Sequence, residues 1–341
     1  MRGDSLYCPL SLSVDSYGNC LTDCNYCWIR HLNHTWGKEL KPTDTSILER
    51  KLINGLKNKT PKTTLAWALN QKKTIKFGNK TDPFQEAEKI YHTSKEILSI
   101  FIRLNWTYVI QTKHTDIMML YESRLVKSHK KGLLTVLPEM SPGLEKDWET
   151  FENKLTTNPI DRVKHSVILQ KLGINVGFNG EPFIPGYHTI KDFEDTLKLL
   201  KSNKIQSYNT YNFHFNAFVA KRLHSIGIDI EKIWFYNRDI EWKKILPKLL
   251  ELSKKYDIVL GNPDFVNTGK DWIEQANTCC GVNVPNPCTF NSHYFKKYKQ
   301  QGLSDKDIFH KTYDGTGDAK AGVDIITGNC KNMFNLKDAG L

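Results

Sequence analysis

The 341-residue sequence lacks any apolar run that could cross a membrane. No stretch reaches the roughly 18 consecutive apolar residues that a spanning helix needs, and 25% of the residues are charged. The start, MRGDSLYCPLSLS, has no basic end followed by an apolar core, so no secretory signal is predicted. We therefore expect a cytoplasmic protein with no membrane partner.

Acidic residues are outnumbered by basic ones, 37 to 48, which gives a formal net charge of +11. Such an excess favours polyanionic partners through long-range attraction. A dispersed positive charge is also common in lysine-rich chains that bind no polyanion, so charge alone leaves both alternatives open. Eight cysteines in a cytoplasmic chain of this length indicate ligands or reactants rather than a disulfide framework.

Short β-rich runs alternate with amphipathic helical stretches, which predicts an α/β protein built from six or seven parallel βα units. The strand candidates are Ser11 to Ser16, Thr74 to Gly78, Thr107 to Thr112, Leu133 to Leu137, Ile174 to Phe178, Tyr208 to Phe213 and Lys232 to Tyr236, with Asp257 to Gly261 as a further one. One helix is predicted over Gln85 to Leu104. Another has Asn158 as its N-cap, Pro159 at its first position and Gly173 at its end.

The predicted strands end in chemically active residues. The letters YGNC follow the first strand, NKTDP the second, KH the third, PE the fourth and NGEPFIPG the fifth. In (β/α) barrels the reactive residues sit at the carboxyl ends of the strands, because those loops change without disturbing the core. Five further residues, Tyr208, Tyr211, His214, Trp234 and Tyr236, either line a substrate pocket there or belong to the core.

Three cysteines, Cys20, Cys24 and Cys27, stand within eight residues, and no fourth stands at matching spacing. A structural zinc ion needs four protein ligands. The fourth would then be Cys8, His31 or His34. A [4Fe-4S] cluster is held by thiolates, and three of them leave one iron open for another ligand. The loop alone is compatible with either metal site.

The spacing C-x3-C-x2-C, with an aromatic residue just before the last cysteine, resembles the radical S-adenosylmethionine (SAM) superfamily. Three later segments, in the same order, resemble the spore photoproduct lyase-like branch of that superfamily. These are KFGNKTDPFQEAEK (Lys76 to Lys89), IQTKHTDIMML and NPIDRVKHSVILQKLGINVGFNGEPFIPG. With the cysteine loop, they cover about Cys20 to Gly186.

This resemblance implies a fold and a chemistry. The fold is a partial (β/α) TIM-like barrel, and Cys20, Cys24 and Cys27 would hold a [4Fe-4S] cluster whose open iron binds SAM. Electron transfer from the reduced cluster would cleave SAM, and the 5′-deoxyadenosyl radical would take a hydrogen atom from the substrate, so the cofactor carries the difficult step. An electron donor such as flavodoxin or ferredoxin is the partner that this chemistry implies.

The resemblance also implies a SAM site made by five residues. Tyr26 is the aromatic residue before the last cysteine. Thr81 and Asp82 would bond the amino group and ribose of SAM, Lys113 would meet its carboxylate, and Thr135 would supply a hydroxyl. Structural interpretations remain open, since Thr81 and Asp82 also suit a turn and helix start, and Thr135 also suits a strand that faces the barrel.

The sequence departs from the branch in two places. True spore photoproduct lyases carry a hydrogen-donating cysteine in the loop after the second strand, where this chain has Asn79, so repair of a thymine dimer is not expected. We also predict a cysteine-rich C-terminal module of residues 265–341 beyond a barrel of residues 1–264. The module contains Cys279, Cys280, Cys288 and Cys330. These four cysteines would hold an auxiliary iron-sulfur cluster, a zinc ion or no metal.

The resemblance and the positive charge together favour a radical SAM enzyme that abstracts a hydrogen atom from a nucleobase or modified nucleotide in nucleic acid. Modification of a peptide or amino-acid side chain is a second enzymatic hypothesis. A third hypothesis, from a different class, is a zinc-stabilised nucleic-acid-binding protein without catalysis. Iron and zinc analysis after anaerobic reconstitution separates the third hypothesis from the first two.

Overall fold

Short strands follow one another along the chain with helices between them. The computed structural model describes residues 10, 12–27, 29, 40–61, 64–262, 282, 284–286, 300–303 and 323–324. Its strands are β1 (Leu12–Val14), β2 (Ile75–Phe77), β3 (Tyr108–Thr112), β4 (Leu134–Pro138), β5 (Asn175–Val176), β6 (Phe178–Asn179), β7 (Ser207–Asn209), β8 (Val259–Gly261) and β9 (Val323–Asp324). Seven of the eight predicted strands are therefore found, each with shifted or shortened bounds.

All pairings between these strands are parallel, in the orders β5-β4-β3-β2-β1-β9 and β6-β7-β8. Gly177 alone separates β5 from β6, and a side chain there would collide with Ser207 and Val282. A parallel bridge between Glu139 and Asn179 joins the end of β4 to β6. The strands thus form one curved wall, which confirms the predicted partial (β/α) barrel.

The helices lie between the strands in the order that a parallel sheet requires. They are α1 (Thr45–Lys57), α2 (Thr64–Asn70), α3 (Glu88–Tyr91), α4 (Thr93–Leu104), α5 (Thr115–Met119), α6 (Glu122–Lys130), α7 (Glu145–Thr150), α8 (Pro159–Lys171), α9 (Ile190–Ser202), α10 (Ala217–Ser225), α11 (Ile230–Tyr236) and α12 (Asp239–Lys255). Within the described ranges, no helix is long and apolar enough to span a membrane.

Local sequence signals account for several helix ends. Asn158 accepts a hydrogen bond from the backbone N–H of Ile160 at 2.9 Å, and Pro159 opens α8, as predicted. Gly173 follows that helix with a φ of 84°, a conformation that glycine adopts without a steric penalty. The helix predicted over Gln85 to Leu104 is divided into α3 and α4, because His92 between them takes a left-handed φ of 52°.

One strand prediction was wrong. The segment from Lys232 to Tyr236 lies in helix α11, which begins where the Asp229 carboxylate accepts a hydrogen bond from the backbone N–H of Lys232 at 2.9 Å. The run of aromatic and β-branched residues suggested a strand, but the N-cap and the packing of Ile233, which is 1% exposed, favour one short helix. Trp234 is 60% exposed and Tyr236 is 39% exposed, so neither belongs to the core.

Successive residues of the central strands point to opposite sides of the wall. Tyr108, Ile110 and Val136 face the helices and form part of the large outer core. Val109 and Leu137 face the barrel interior. There they pack with Leu10, Val282 and Val284 and form a small apolar cluster inside the barrel.

Described residues beyond position 264 contact the barrel directly. Val282 and Val284 pack with Val109 and Leu137. The backbone carbonyl of Asn286 accepts a hydrogen bond from Thr74 N at 3.0 Å, at the start of β2. The boundary of the C-terminal module stays a prediction, and Cys279, Cys280, Cys288 and Cys330 lie outside the described residues.

Candidate cofactor and substrate site

The carboxyl ends of the strands surround a cavity. The cysteine loop after β1 forms one side of the cavity, and the ends of β2, β3, β4, β6 and β7 contribute the rest. Its lining includes seven of the residues predicted for the cluster and for SAM: Cys20, Cys24, Tyr26, Cys27, Thr81, Asp82 and Lys113. Residues separated by up to about ninety positions in the sequence therefore meet at the barrel mouth.

The cysteine loop is held by side chains from several other segments. Gln85, which ends the TDPFQ motif, accepts a hydrogen bond from Leu21 N at 2.7 Å and donates one to the Asn19 carbonyl at 2.9 Å. Arg222 of α10 donates to the Asp23 carboxylate at 2.6 Å. Thr22 lies 3.0 Å from the His114 ring nitrogen at the end of β3. The loop is thus fixed on both sides of Cys20 and Cys24.

Tyr26 connects the cysteine loop to a buried group of charges. Its hydroxyl donates a hydrogen bond to Glu152 at 2.9 Å, and Glu152 also forms ion pairs with Arg162 and with Lys113, the latter at 3.1 Å. Arg162 is fully buried and donates to the carbonyls of Thr157 and Glu139. We call Tyr26, Lys113, Glu152 and Arg162 the buried charge network.

The network determines the ionisation of its members. Burial would raise the pKa of Glu152, but the Arg162 guanidinium and the Lys113 ammonium lower that pKa well below its usual range. Burial would lower the pKa of Lys113, but Glu152, Tyr26 and Glu139 raise it well above its usual range. Both groups therefore remain charged at neutral pH. Burial also raises the pKa of Cys20 to about 11 and that of Cys24 well above its usual range, so thiolate ligation by either releases a proton.

Thr81 and Asp82 lie at the cavity wall and also stabilise the strand ends. Asp82 accepts hydrogen bonds from Thr112 Oγ1 at 2.7 Å and from the Lys113 backbone N–H at 2.6 Å, which ties the end of β2 to the end of β3. Thr81 Oγ1 donates to the Tyr17 carbonyl at 3.2 Å. The Asp15 carboxylate accepts from the backbone N–H groups of residues 79 to 81. Both residues thus have a structural role, and their role in binding a cofactor stays a prediction.

Thr135 is not among the residues that line the cavity. It lies within β4, three residues before the strand ends, and Asn175 donates a hydrogen bond to its hydroxyl at 3.3 Å. Among the aromatic candidates, Tyr211 and His214 line the cavity, with ring centroids 5.3 Å apart. Tyr208 is buried in the core, and its hydroxyl donates to the Met140 carbonyl at 3.0 Å.

The donor type at the loop fits an iron-sulfur cluster. Three cysteine side chains line one cavity, and thiolates are the ligands of such clusters. The residues proposed as a fourth zinc ligand, Cys8, His31 and His34, lie outside the described ranges.

Comparisons with known proteins find likeness in structure only. No family model matches the sequence, and no curated protein matches it. A cysteine-to-serine mutant of spore photoproduct lyase superposes with a TM-score of 0.55 at 10% identity, over 73% of this chain and 75% of that chain. The same lyase complexed with dinucleoside spore photoproduct gives 0.52 at 11% identity, over 71% and 73%. The chain has the fold of spore photoproduct lyase.

Streptococcus suis SuiB bound to S-adenosylmethionine is a more distant match, with a TM-score of 0.42 at 14% identity over 64% of this chain and 44% of that chain. It adds nothing to the fold assignment. The match to spore photoproduct lyase confirms, at the level of the fold, the resemblance that the motifs indicated.

Three site residues were missed by sequence reasoning although they contact the spore photoproduct lyase-like motifs. Glu139 was noted only as a strand end, and its carboxylate lies 3.2 Å from Lys113. Glu152 and Arg162 gave no signal, because a helical or loop Glu and Arg normally face solvent. The tyrosine in the cysteine motif was the available clue, since a buried tyrosine hydroxyl requires a hydrogen-bond partner.

Proposed function

We propose that the chain is a radical SAM enzyme that binds a [4Fe-4S] cluster through Cys20, Cys24 and Cys27 and reductively cleaves SAM. One observation carries the proposal: the three loop cysteines and four of the five predicted SAM residues line a single cavity at the carboxyl ends of parallel strands. When bound, the cluster and SAM would supply the electron transfer and the hydrogen-atom abstraction. An electron donor such as flavodoxin or ferredoxin is the partner required.

The protein's own residues would bind and orient the cofactor. The Tyr26 ring is fixed by its bond to Glu152 and by an edge contact with Phe151, whose centroid is 5.8 Å away. Lys113 lines the cavity, and its ammonium lies 3.2 Å from Glu139 and 3.1 Å from Glu152, so its positive charge is balanced by neighbouring carboxylates. This supports a site for a zwitterion such as the methionine part of SAM, rather than for a bare anion.

We further propose that the substrate is a nucleobase or modified nucleotide in nucleic acid. The net charge of +11 supports a polyanionic partner. The cavity is lined by Tyr211, Phe213 and His214, and aromatic rings of this kind stack on unpaired bases. Asn79 lines the cavity after β2 and has no hydrogen atom to donate as a thiol has, so the proposed reaction is not dimer repair.

Nucleic-acid binding should depend steeply on salt if this substrate class is right. Affinity for single-stranded DNA or RNA should fall with a log–log slope of about −0.7 for each phosphate neutralised, because bound counterions are released. Fluorescence anisotropy across salt concentrations measures that slope, and a panel of peptides serves as the comparison. Peptide binding without oligonucleotide binding at low salt would favour modification of a peptide or amino-acid side chain instead.

Asp82 and Lys113 should contribute to SAM affinity. Asp82→Ala and Lys113→Ala should each weaken SAM binding by roughly ten- to a hundred-fold, because charge-assisted hydrogen bonds are worth about 1.5 to 3 kcal/mol. Equilibrium dialysis of the reconstituted protein measures the change, and iron content in the same samples separates loss of SAM from loss of the cluster. Lys131→Ala is the matched control, since Lys131 follows α6 at the opposite end of the strands.

The contradicting result is unchanged SAM affinity in both variants at full iron content. That result would show that the Asp82 side chain only ties the end of β2 to the end of β3, and that the Lys113 side chain only pairs with Glu139 and Glu152. The auxiliary cluster on Cys279, Cys280, Cys288 and Cys330 likewise stays a proposal, as these residues lie outside the described part of the chain.

A further inference from the structure

Two asparagines line the cavity on the side away from Thr81 and Asp82, and their side-chain oxygens lack hydrogen-bond partners among the described residues. Asn179 ends β6, Asn212 follows β7, and both line the cavity. In the described part of the chain, the side-chain oxygen of each is buried without a hydrogen-bond donor. Asn179 is only 4% exposed. We call these two residues the asparagine pair.

The amide groups of the pair are held by neighbouring acceptors. Asn179 Nδ2 donates to Glu139 Oε1 at 3.4 Å, and the other oxygen of that carboxylate lies 3.2 Å from Lys113. Asn212 Nδ2 donates to the carbonyl of Asn237 at 3.3 Å. Since each NH2 group is engaged, each Oδ1 is left as an acceptor.

Buried acceptors without partners are rare in folded proteins, because a group that leaves water and gains no hydrogen bond is destabilising. Two of them on one cavity wall indicate that a ligand supplies the donors. We infer that the asparagine pair binds the N–H edge of a nucleobase and thereby determines which base is accepted. This inference rests on the proposed function and names the residues that would read the substrate.

The charges on this wall favour the base edge over the phosphate. The Glu139 and Glu181 carboxylates line the cavity beside the pair, and they would repel a phosphate group. A nucleobase presents amine or imide N–H donors and a flat face. The Tyr211 and His214 rings border the same part of the cavity, where such a face can stack. A flipped base with its phosphates at the cavity mouth matches this distribution.

The test compares two single-stranded oligonucleotides on the SAM-bound, anaerobically reconstituted full chain. One has a mixed base sequence, and the other has the same length with abasic residues. Asn179→Ala should weaken binding of the first by about ten-fold, because one hydrogen bond to a buried acceptor is lost. Binding of the abasic oligonucleotide should not differ between variant and wild type. Asn212→Ala, at a more exposed position, should shift affinity in the same direction and stands in if Asn179→Ala does not fold.

Asn203→Ala is the matched control, since Asn203 caps the end of α9 before β7 begins, at the opposite end of the barrel. Equal loss for both oligonucleotides would overturn base reading, since only phosphates would then be sensed. If both cavity variants bind the mixed-sequence oligonucleotide as tightly as the wild type, base reading is also overturned. The two side-chain oxygens would then accept hydrogen bonds from water. If the wild type binds neither oligonucleotide, the nucleic-acid substrate itself is wrong, and the inference falls with it.

Discussion

Replacing Cys20, Cys24 and Cys27 together by alanine will abolish the formation of 5′-deoxyadenosine from SAM under reducing conditions. The three thiols line the cavity with Thr81, Asp82 and Lys113, and thiolates are the only ligands there suited to an iron-sulfur cluster among the described residues. Chromatographic detection of 5′-deoxyadenosine after anaerobic reconstitution with dithionite measures the loss. Activity should drop to the level of the protein-free control.

Retained cleavage in this triple variant would contradict the assignment of the loop. Iron content in the same samples tests whether the C-terminal module holds an auxiliary cluster. If Cys279, Cys280, Cys288 and Cys330 hold an auxiliary cluster, the triple variant should still bind about four irons, the content of one [4Fe-4S] unit. Further loss of Cys288 and Cys330 should then remove them. If the triple variant binds no iron, the cysteines of the C-terminal module hold no cluster and have a structural or zinc-binding role.

Replacing Arg162 by methionine will destabilise the fold strongly. Its guanidinium is fully buried and ion-paired with Glu152, and it donates to two backbone carbonyls. Removing one partner of a buried pair typically costs about 3 to 5 kcal/mol, because the remaining charge is left without compensation. Urea unfolding under anaerobic conditions measures the change in the free energy of unfolding.

The adjacent residue provides a matched control. Asp161 forms an exposed pair with Lys164 on the same helix, at 2.7 Å. Asp161→Asn should change stability by no more than about 1 kcal/mol, since water screens such pairs. Equal effects of the two substitutions would show that Lys113 alone compensates Glu152. The same result would mean that Arg162 is not needed to hold Glu152, and through it Tyr26, in place.

The sequence predicted the barrel and most of the site because both depend on local patterns. Hydrophobic runs of strand length, and the residues that begin and end α8, can be recognised in the sequence alone. The site residues follow strands directly, and parallel strands bring their carboxyl ends to one edge. The expectation that Cys20, Asp82 and Lys113 lie together came from the resemblance to the radical SAM superfamily, and the parallel strand order explains why they do.

The remaining features depend on tertiary contacts that no local pattern encodes. Glu152 and Arg162 are far from Tyr26 in the sequence, and only the folded chain brings Glu152 between the Tyr26 hydroxyl and the Arg162 guanidinium. The strand predicted at Lys232 to Tyr236 failed because the Asp229 cap outweighs β-propensity in a short exposed segment. Thr135 was placed by motif order, whereas its position within β4 keeps it out of the lining of the cavity.

The most direct test of the central claim is the electron paramagnetic resonance spectrum of the reduced, reconstituted protein before and after addition of SAM. Three cysteine ligands leave one iron of a [4Fe-4S] cluster open, so SAM should bind to that iron and change the spectrum. The same change should be absent from the triple cysteine variant. A protein that holds one zinc ion per chain at this loop, or a reduced cluster whose spectrum SAM leaves unaltered, would contradict the account.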